Sequence, residues 1–156
     1  MPDFCHYYSE DGPCSAKALL SRLGNGRVIF MIDGDILLFF DGNAEALELF
    51  RVLSEKINGN IENVRVKVQK TQISFYNRRL FACVSLARVR RKAELPPVYI
   101  TVTFGLGRLE SSPRIAAASE PYPNRWTHHT VISSPEDIDD ELMGWIREAA
   151  DFSNAK

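Results

Sequence analysis

Nine basic side chains are concentrated in residues 61–92, a stretch with one acidic residue and a net charge of +8. Concentrated positive charge raises the local concentration of anions, and aromatic rings beside it can stack on bases. The stretch is therefore typical of a nucleic-acid or phosphate site, although it holds no helix-turn-helix, zinc-finger or RNP signature. The competing interpretation is a solvated sheet face whose cations pair with the acidic C-terminal helix. The candidate ligand-binding residues here, with one aromatic from further along, are Arg65, Lys67, Lys70, Gln72, Tyr76, Arg79 and Tyr99.

A second group of side chains surrounds a Trp-Thr-His-His segment that follows a proline-rich stretch. A histidine near its free pKa of about 6.5 can act as acid or base, and an arginine can hold a carboxylate or phosphate through paired donors. Alternation along a strand would direct two consecutive histidines to opposite faces, so at most one shares a pocket with a given neighbour. The structural alternative packs the tryptophan in the core and uses one histidine to satisfy a backbone carbonyl. The candidates are Arg114, Arg125, Trp126, His128 and His129.

These two groups support different function classes. The favoured hypothesis is a noncatalytic binding module whose basic sheet face contacts an anionic partner, with nucleic acid as the first candidate. Acid-base catalysis needs a partner group within hydrogen-bond reach, and no nucleophile motif supplies one, so an enzyme is the less favoured class. A protein-interaction domain is a third alternative. The enzyme or small-ligand alternative would combine Lys70, Tyr76, Arg114, Arg125 and one of His128 or His129.

The sequence predicts no metal site and no cofactor. Cys5, His6 and Cys14 could supply three zinc ligands, but nothing nearby completes the usual four. Three aspartates between residues 33 and 41 suggest a calcium loop, but Leu37 stands where the loop needs an oxygen ligand. A turn or a helix cap explains these aspartates better.

Hydrophobic periodicity predicts two long helices that would support the basic strands. The first is capped by Asn43 and the last by Ser134, with Asp137 placed to complete a capping box. The apolar stripe of the first helix is Leu47, Phe50, Leu53 and Ile57. The apolar stripe of the last helix is Ile138, Leu142, Trp145 and Ala149.

Period-two alternation predicts strands between these helices. The expected strands cover residues 64–68, 72–76, 80–86 and 98–104, and residues 128–132 give a fifth. Residues 105–124, which are rich in glycine and proline, are predicted to be largely loop. The fold class is therefore α+β, an antiparallel sheet of about four to five strands with helices packed on one face.

The first 40 residues are predicted to be an arm with short elements of its own. A helical pattern runs from Ser15 to Leu23 and ends at glycines. Two apolar runs, residues 28–32 and 36–40, flank Asp33-Gly34. That dipeptide predicts a type I′ hairpin turn, while residues 35–40 fit a helical turn equally well.

From about residue 41 to residue 150 the chain resembles a small, mostly bacterial family of domains of unknown function. The resemblance depends on the order and spacing of several stretches together, among them the segment VQKTQISF at residues 68–75. It implies an α+β fold and little about activity, although some relatives carry a loose transport label. The matching stretches are residues 46–50, 68–75, 79–82, 103–106, 112–115, 125–129 and 140–142, with Trp145 and Ala149.

Length and composition limit the remaining possibilities. The 156 residues suit one compact domain overall, with residues 1–40 as a variable arm and residues 41–156 as the α+β domain. The 19 basic and 20 acidic residues give a total charge of −1, which conceals the basic stretch between acidic flanks. Three cysteines cannot all pair, so a reducing cytoplasm is expected. The longest apolar run is too short and too interrupted to span a membrane, so no membrane partner is expected.

Overall fold

A six-stranded antiparallel sheet with helices on one face forms the body of the molecule. The computed structural model describes residues 20–22, 28–30 and 33–155. Its helices are α1 (Gly34–Phe39), α2 (Ala44–Asn60) and α3 (Asp140–Asn154). The strands of the sheet are β3 (Arg65–Val68), β4 (Gln72–Tyr76), β5 (Leu80–Ser85), β6 (Ile100–Leu106), β7 (Ile115–Tyr122) and β8 (Arg125–Ile132). Two short strands that precede them, β1 (Leu20–Arg22) and β2 (Val28–Phe30), form a separate antiparallel pair.

The strand order across the sheet is β3-β4-β5-β6-β8-β7. Strands β3, β4 and β5 follow one another through tight turns, whereas β8 lies between β6 and β7. Among the described strands of this sheet, β3 and β7 are therefore the two edges, and the basic segment of the sequence lies at the β3 edge.

The described helices pack on one face of the sheet through aromatic side chains. The rings of Phe50 on α2 and Phe75 on β4 have centroids 6.0 Å apart. The ring of Trp145 on α3 stacks on Phe104 of β6 at 5.7 Å. Phe40, at the end of α1, contacts Phe50 at 5.3 Å, which brings α1 to the same core.

The predicted start of the first long helix is confirmed, and the predicted start of the last helix is corrected. The Asn43 side chain accepts a hydrogen bond from the Ala46 backbone at 3.1 Å and caps α2. Ser134 and Asp137 form the expected capping box, but it opens a short 3-10 turn, and α3 begins later with Asp139 as its own cap. The predicted stripe of the last helix is buried along its whole length.

The sheet has six strands rather than four to five, because part of the predicted loop is a strand. Residues 115–122 form β7, an edge strand whose side chains are half-buried or exposed. An edge strand of this kind need not show the apolar alternation that identifies a half-buried strand in a sequence. The strands predicted at 72–76 and 80–86 are confirmed almost residue for residue.

Two predictions for the first 40 residues are corrected. Residues 34–39 form α1, so the helical alternative holds and the Asp33-Gly34 hairpin is wrong. The described partner of β2 is β1. Residues 20–22 are extended rather than helical, and the rest of the predicted helix from Ser15 lies outside the described residues.

Candidate anion-binding face

The sheet face opposite the described helices carries a row of small and polar side chains. Residues that pair directly in an antiparallel sheet project from the same face, and successive residues alternate. Because Phe75 and Phe104 face the helices, their neighbours Ser74 and Thr103 face the other way. We call this side the helix-free face. Its central row, one residue from each strand in register, is Lys67, Ser74, Cys83, Thr103, His129 and Ala117.

A chain of hydrogen bonds connects the side chains of this row with two glutamines at the β3–β4 end. Gln72 Nε2 donates to Gln69 Oε1 and to Ser74 Oγ, both at 3.1 Å. The Cys83 thiol donates to Gln72 Oε1 at 3.7 Å, and Thr103 Oγ1 lies 2.8 Å from His129 Nδ1. The floor of the face is therefore polar and already hydrogen-bonded.

The floor is also electrically neutral. Burial raises the pKa of the Cys83 thiol to about 12, with a hydrogen bond to Thr103 acting in the opposite direction. Burial lowers the pKa of His129 below its usual 6.5. At neutral pH the thiol is therefore protonated and the imidazole is uncharged.

The positive charge of the helix-free side lies at its β3 edge and at the two ends of β4. Arg65 and Lys67 alternate with valines on β3, and pairing with Tyr76 and Ser74 assigns them to the helix-free face. Lys70 lies in the turn before β4. The basic residues of 61–92 are all exposed: Arg65, Lys67, Lys70, Arg78, Arg79, Arg88, Arg90, Arg91 and Lys92.

These cations have no carboxylate partner among the residues that the structure describes. Ion pairs in the described part of the chain involve Arg51, Arg108 and Arg114 instead. Arg65 Nη2 donates to the backbone carbonyl of Asn77 at 2.7 Å. The pairing of the basic strands with the acidic last helix, which was the competing interpretation, is therefore not found within residues 33–155.

The acidic residues of the helices pair with other arginines. Arg114 binds Asp139 at 2.7 Å and Glu141 at 2.9 Å, both at the start of α3. Arg108 binds Glu148 on the same helix at 2.8 Å. These carboxylates of α3 are therefore paired on their own side of the sheet.

The second predicted group is divided between the two faces. His128 pairs with Phe104, faces the helices and is fully buried, with ring centroids 5.4 Å apart. Its Nε2 accepts a hydrogen bond from the Glu110 backbone at 2.9 Å, and burial lowers its pKa. Arg114 lies on the same side, with its guanidinium 5.8 Å from the Trp145 ring. His129 is on the helix-free face, as strand alternation predicts.

The remaining predicted residues are half-buried side chains or arginines beside a small cavity. Trp126 pairs with Leu106 and is half-buried. Tyr99 comes just before β6 and is half-buried, as are Gln72 and Tyr76. Arg79 and Arg125 line a small cavity beside Phe152 near the end of α3. Lys70 and Tyr76 thus belong to the helix-free side, whereas Arg114 and His128 belong to the helix side.

Sequence reasoning missed Gln69, Ser74, Cys83 and Thr103 as components of the face. The signal was present, because the alternation that assigns Ile73 and Phe75 to the core also assigns Ser74 to the other side. What the sequence does not give is the strand order that brings Cys83 of β5 and Thr103 of β6 beside it.

The described residues show neither a metal-binding cluster nor a membrane-spanning helix. Within 33–155 and the two short strands, no three histidine, cysteine or acidic side chains come together as a metal site would require. The helices described there are all too short or too polar to cross a bilayer. The proposed zinc ligands Cys5, His6 and Cys14, which the sequence analysis rejected, lie outside the described residues.

Comparison with known proteins identifies a matching family model. A family model for a domain of unknown function (DUF5655) matches residues 38–153. A search of curated proteins and a search of solved structures find no match. The matched range contains α2, the six-stranded sheet and nearly all of α3, so the helix-free face lies within it.

Proposed function

Because the chain belongs to the DUF5655 family of domains of unknown function, we propose its function from the chemistry of its own surface. It is a noncatalytic binding module that holds an anionic partner against the helix-free face, and nucleic acid is the first candidate. Lys67 and Lys70 make the principal phosphate contacts. Gln72, Tyr76 and His129 lie beside them on the polar floor.

The separation of charge between the two sides of the sheet carries this proposal. Arg51, Arg108 and Arg114 on the helix side have carboxylates within 2.5–2.9 Å, so their charge is already neutralised. The exposed cations of the β3 edge have no such partner within residues 33–155. An anion that binds there displaces only counterions and water, and it does not compete with an internal carboxylate.

The shape of the basic region favours an extended anion over a compact one. The five residues of β4 span about 16 Å at roughly 3.3 Å per residue, with Lys70 before the strand and Arg78 after it. A nucleic-acid strand presents one phosphate every 3.4 Å or so along a helix axis, so several would fall within this length. The half-buried rings of Tyr76 and Tyr99 add surfaces on which bases can stack.

The chemistry of the floor supports binding over catalysis. A cysteine attacks as its thiolate, and the Cys83 thiol with a pKa of about 12 stays protonated at neutral pH. The His129 ring is held by the Thr103 hydroxyl, and a hydroxyl does not stabilise an imidazolium as a carboxylate does. Ser74, Cys83 and Thr103 are themselves buried. The contacts with a ligand therefore come from the exposed lysines and from the half-buried side chains around them.

Binding of fluorescent single-stranded RNA and DNA, measured at several salt concentrations, tests the proposal. Lys67→Ala and Lys70→Ala should each weaken binding several-fold. Each should also make the negative slope of log K against log salt shallower by about 0.7. The matched control is Arg51→Ala, which removes the same charge from an arginine already paired with Glu48 and Glu55. It should leave binding within twofold of the unmodified chain.

Heparin serves as a polyanion without bases. The proposal is contradicted if neither RNA nor heparin binds to the chain at low salt. An equal loss of affinity in Lys67→Ala and Arg51→Ala also contradicts it, because that would show a response to total charge rather than to the helix-free face.

A further inference from the structure

We propose a second ligand site in a cavity of about 490 Å³ beside the β4–β5 turn, at the β3 edge of the sheet. Its ligand is a small phosphorylated polyol, a sugar phosphate in chemical class. The cavity lies where the α2–β3 loop, the start of β3, the β4–β5 turn and the last residue of α3 meet. Its polar and charged lining residues are Glu62, Asn63, Arg65, Asn77, Arg78 and Asn154.

Two arginines provide the charge that a phosphate needs. Arg65 and Arg78 come from different elements but line the same cavity. A guanidinium presents donors in a planar fork that matches phosphate oxygens, and two of them together hold a phosphate better than a single point charge. Among the described residues of the lining, Glu62 is the one acid, which leaves a positive balance.

The wall of the cavity is held rigidly by Asn77. This buried side chain donates from Nδ2 to the Ala150 carbonyl at 2.9 Å and accepts from Ser153 Oγ at 3.1 Å, which fastens the turn to α3. Its backbone carbonyl accepts a hydrogen bond from Arg65 Nη2 at 2.7 Å. Arg65 is thus held in place before any ligand arrives, and a preorganised site loses less entropy on binding.

The remaining lining identifies the rest of the ligand as hydroxyl-rich. The amides of Asn63 and Asn154 can each donate and accept, and the carboxylate of Glu62 can accept from a hydroxyl. Among the described residues of the lining, Val64 is the one apolar side chain, and none carries an aromatic ring for a base to stack on. A polyol with one phosphate uses both the cationic and the amide-bearing parts of this cavity, whereas a nucleobase would lack a stacking surface there.

This site does not depend on the function proposed for the helix-free face. Arg65 borders both places, but Lys67 and Lys70, which make the principal contacts of the proposed function, are not part of the cavity lining. Asn63 and Asn154 of the lining are not part of the central row. The cavity can therefore be tested whether or not the chain binds nucleic acid.

Isothermal titration of the full chain with ribose 5-phosphate tests the site, with ribose and inorganic phosphate as comparison probes. Ribose 5-phosphate should bind more tightly than inorganic phosphate, and ribose alone should give no binding. Arg78→Gln should weaken ribose 5-phosphate binding about tenfold, since it removes a charge-assisted contact. Asn154→Ala should weaken it several-fold.

Arg79→Gln is the matched control, because Arg79 is the next residue of the same turn and lines a different cavity. It should leave binding of ribose 5-phosphate within twofold. The site is overturned if ribose 5-phosphate does not bind, if Arg79→Gln weakens it as much as Arg78→Gln, or if inorganic phosphate binds equally well. Ribose 5-phosphate binding should persist in a Lys67→Ala, Lys70→Ala double variant, and its loss there would also overturn the site.

Discussion

The two faces of the sheet satisfy their polar groups in different ways. On the helix side, Arg108 and Arg114 are each matched by carboxylates at distances of 2.6–2.9 Å. On the helix-free side, neutral side chains hydrogen-bond to one another, and the exposed cations at the β3 edge form no ion pair within residues 33–155. A chain with a total charge of −1 can therefore present one surface with unbalanced positive charge.

Two consecutive residues show the same contrast on the smallest scale. His128 is fully buried against Phe104, and a backbone amide donates to it. His129 is half-buried on the opposite face, beside the Thr103 hydroxyl. One histidine is part of the core, whereas the other is part of a polar surface that a ligand can approach.

The largest effect that this comparison predicts concerns the thiol of Cys83. With a pKa near 12, its thiolate fraction at pH 8 is lower than that of a free cysteine by a factor on the order of a thousand. Alkylation of Cys83 with iodoacetamide, followed by peptide mass spectrometry, should be slower by at least that factor in the folded chain than in urea. Equal labelling rates in the two conditions would show that the floor is neither buried nor neutral.

Adjacent substitutions on β6 should separate the two faces by their cost in stability. Phe104→Ala removes a buried ring from the helix side and should lower the free energy of unfolding by about 3–5 kcal/mol. Thr103→Val keeps the shape but removes the hydroxyl beside His129, and should cost about 1 kcal/mol. Urea denaturation measures both, and equal costs would contradict the division of β6 into a packed face and a polar face.

A smaller effect is the pH dependence that the two histidines produce. Burial lowers the pKa of both below 6.5, so the unfolded chain takes up their protons at a higher pH than the folded chain. Their contribution to stability is present above about pH 6.5 and is lost as pH falls toward the folded pKa values. The loss should have a slope of at most about 1.4 kcal/mol per pH unit for each histidine.

Urea denaturation between pH 7.5 and 5.5 measures this slope. The carboxylates with lowered pKa, such as Asp137 and Asp139, lose their contribution at more acidic pH and do not obscure it. His129→Gln should give a flatter dependence than the unmodified chain. An unchanged slope would show that the helix-free face does not keep His129 uncharged.

The fold was largely predictable from local patterns, but the arrangement of the site was not. Alternating valines predicted β3, and the capping box identified the start of the last helical segment. In contrast, the half-exposed side chains of β7 carry no alternation, so residues 115–122 were interpreted as loop. Short apolar runs such as residues 36–40 suit a helix and a strand equally, and packing against Phe50 decides between them.

The candidate site shows the same limit. Lys67 and Lys70 could be proposed from charge and spacing alone, whereas Cys83 and Thr103 join them only because β5 and β6 are neighbours in the sheet. Pairing between strands that are distant in sequence depends on how the whole core packs. A short segment of sequence does not contain that information. The joint placement of Lys70 with Arg114 failed for that reason, because each lies on a different side of the sheet.

Amide chemical-shift mapping by NMR tests the central claim most directly. A nitrogen-15-labelled chain titrated with a single-stranded oligonucleotide at low salt should show its largest shifts in Lys67, Lys70, Gln72 and Ser74. Residues on the outer surfaces of α2 and α3, such as Arg51 and Arg147, should shift little. Shifts centred on the helices, or spread evenly over both sides of the sheet, would contradict an anion-binding role for the helix-free face.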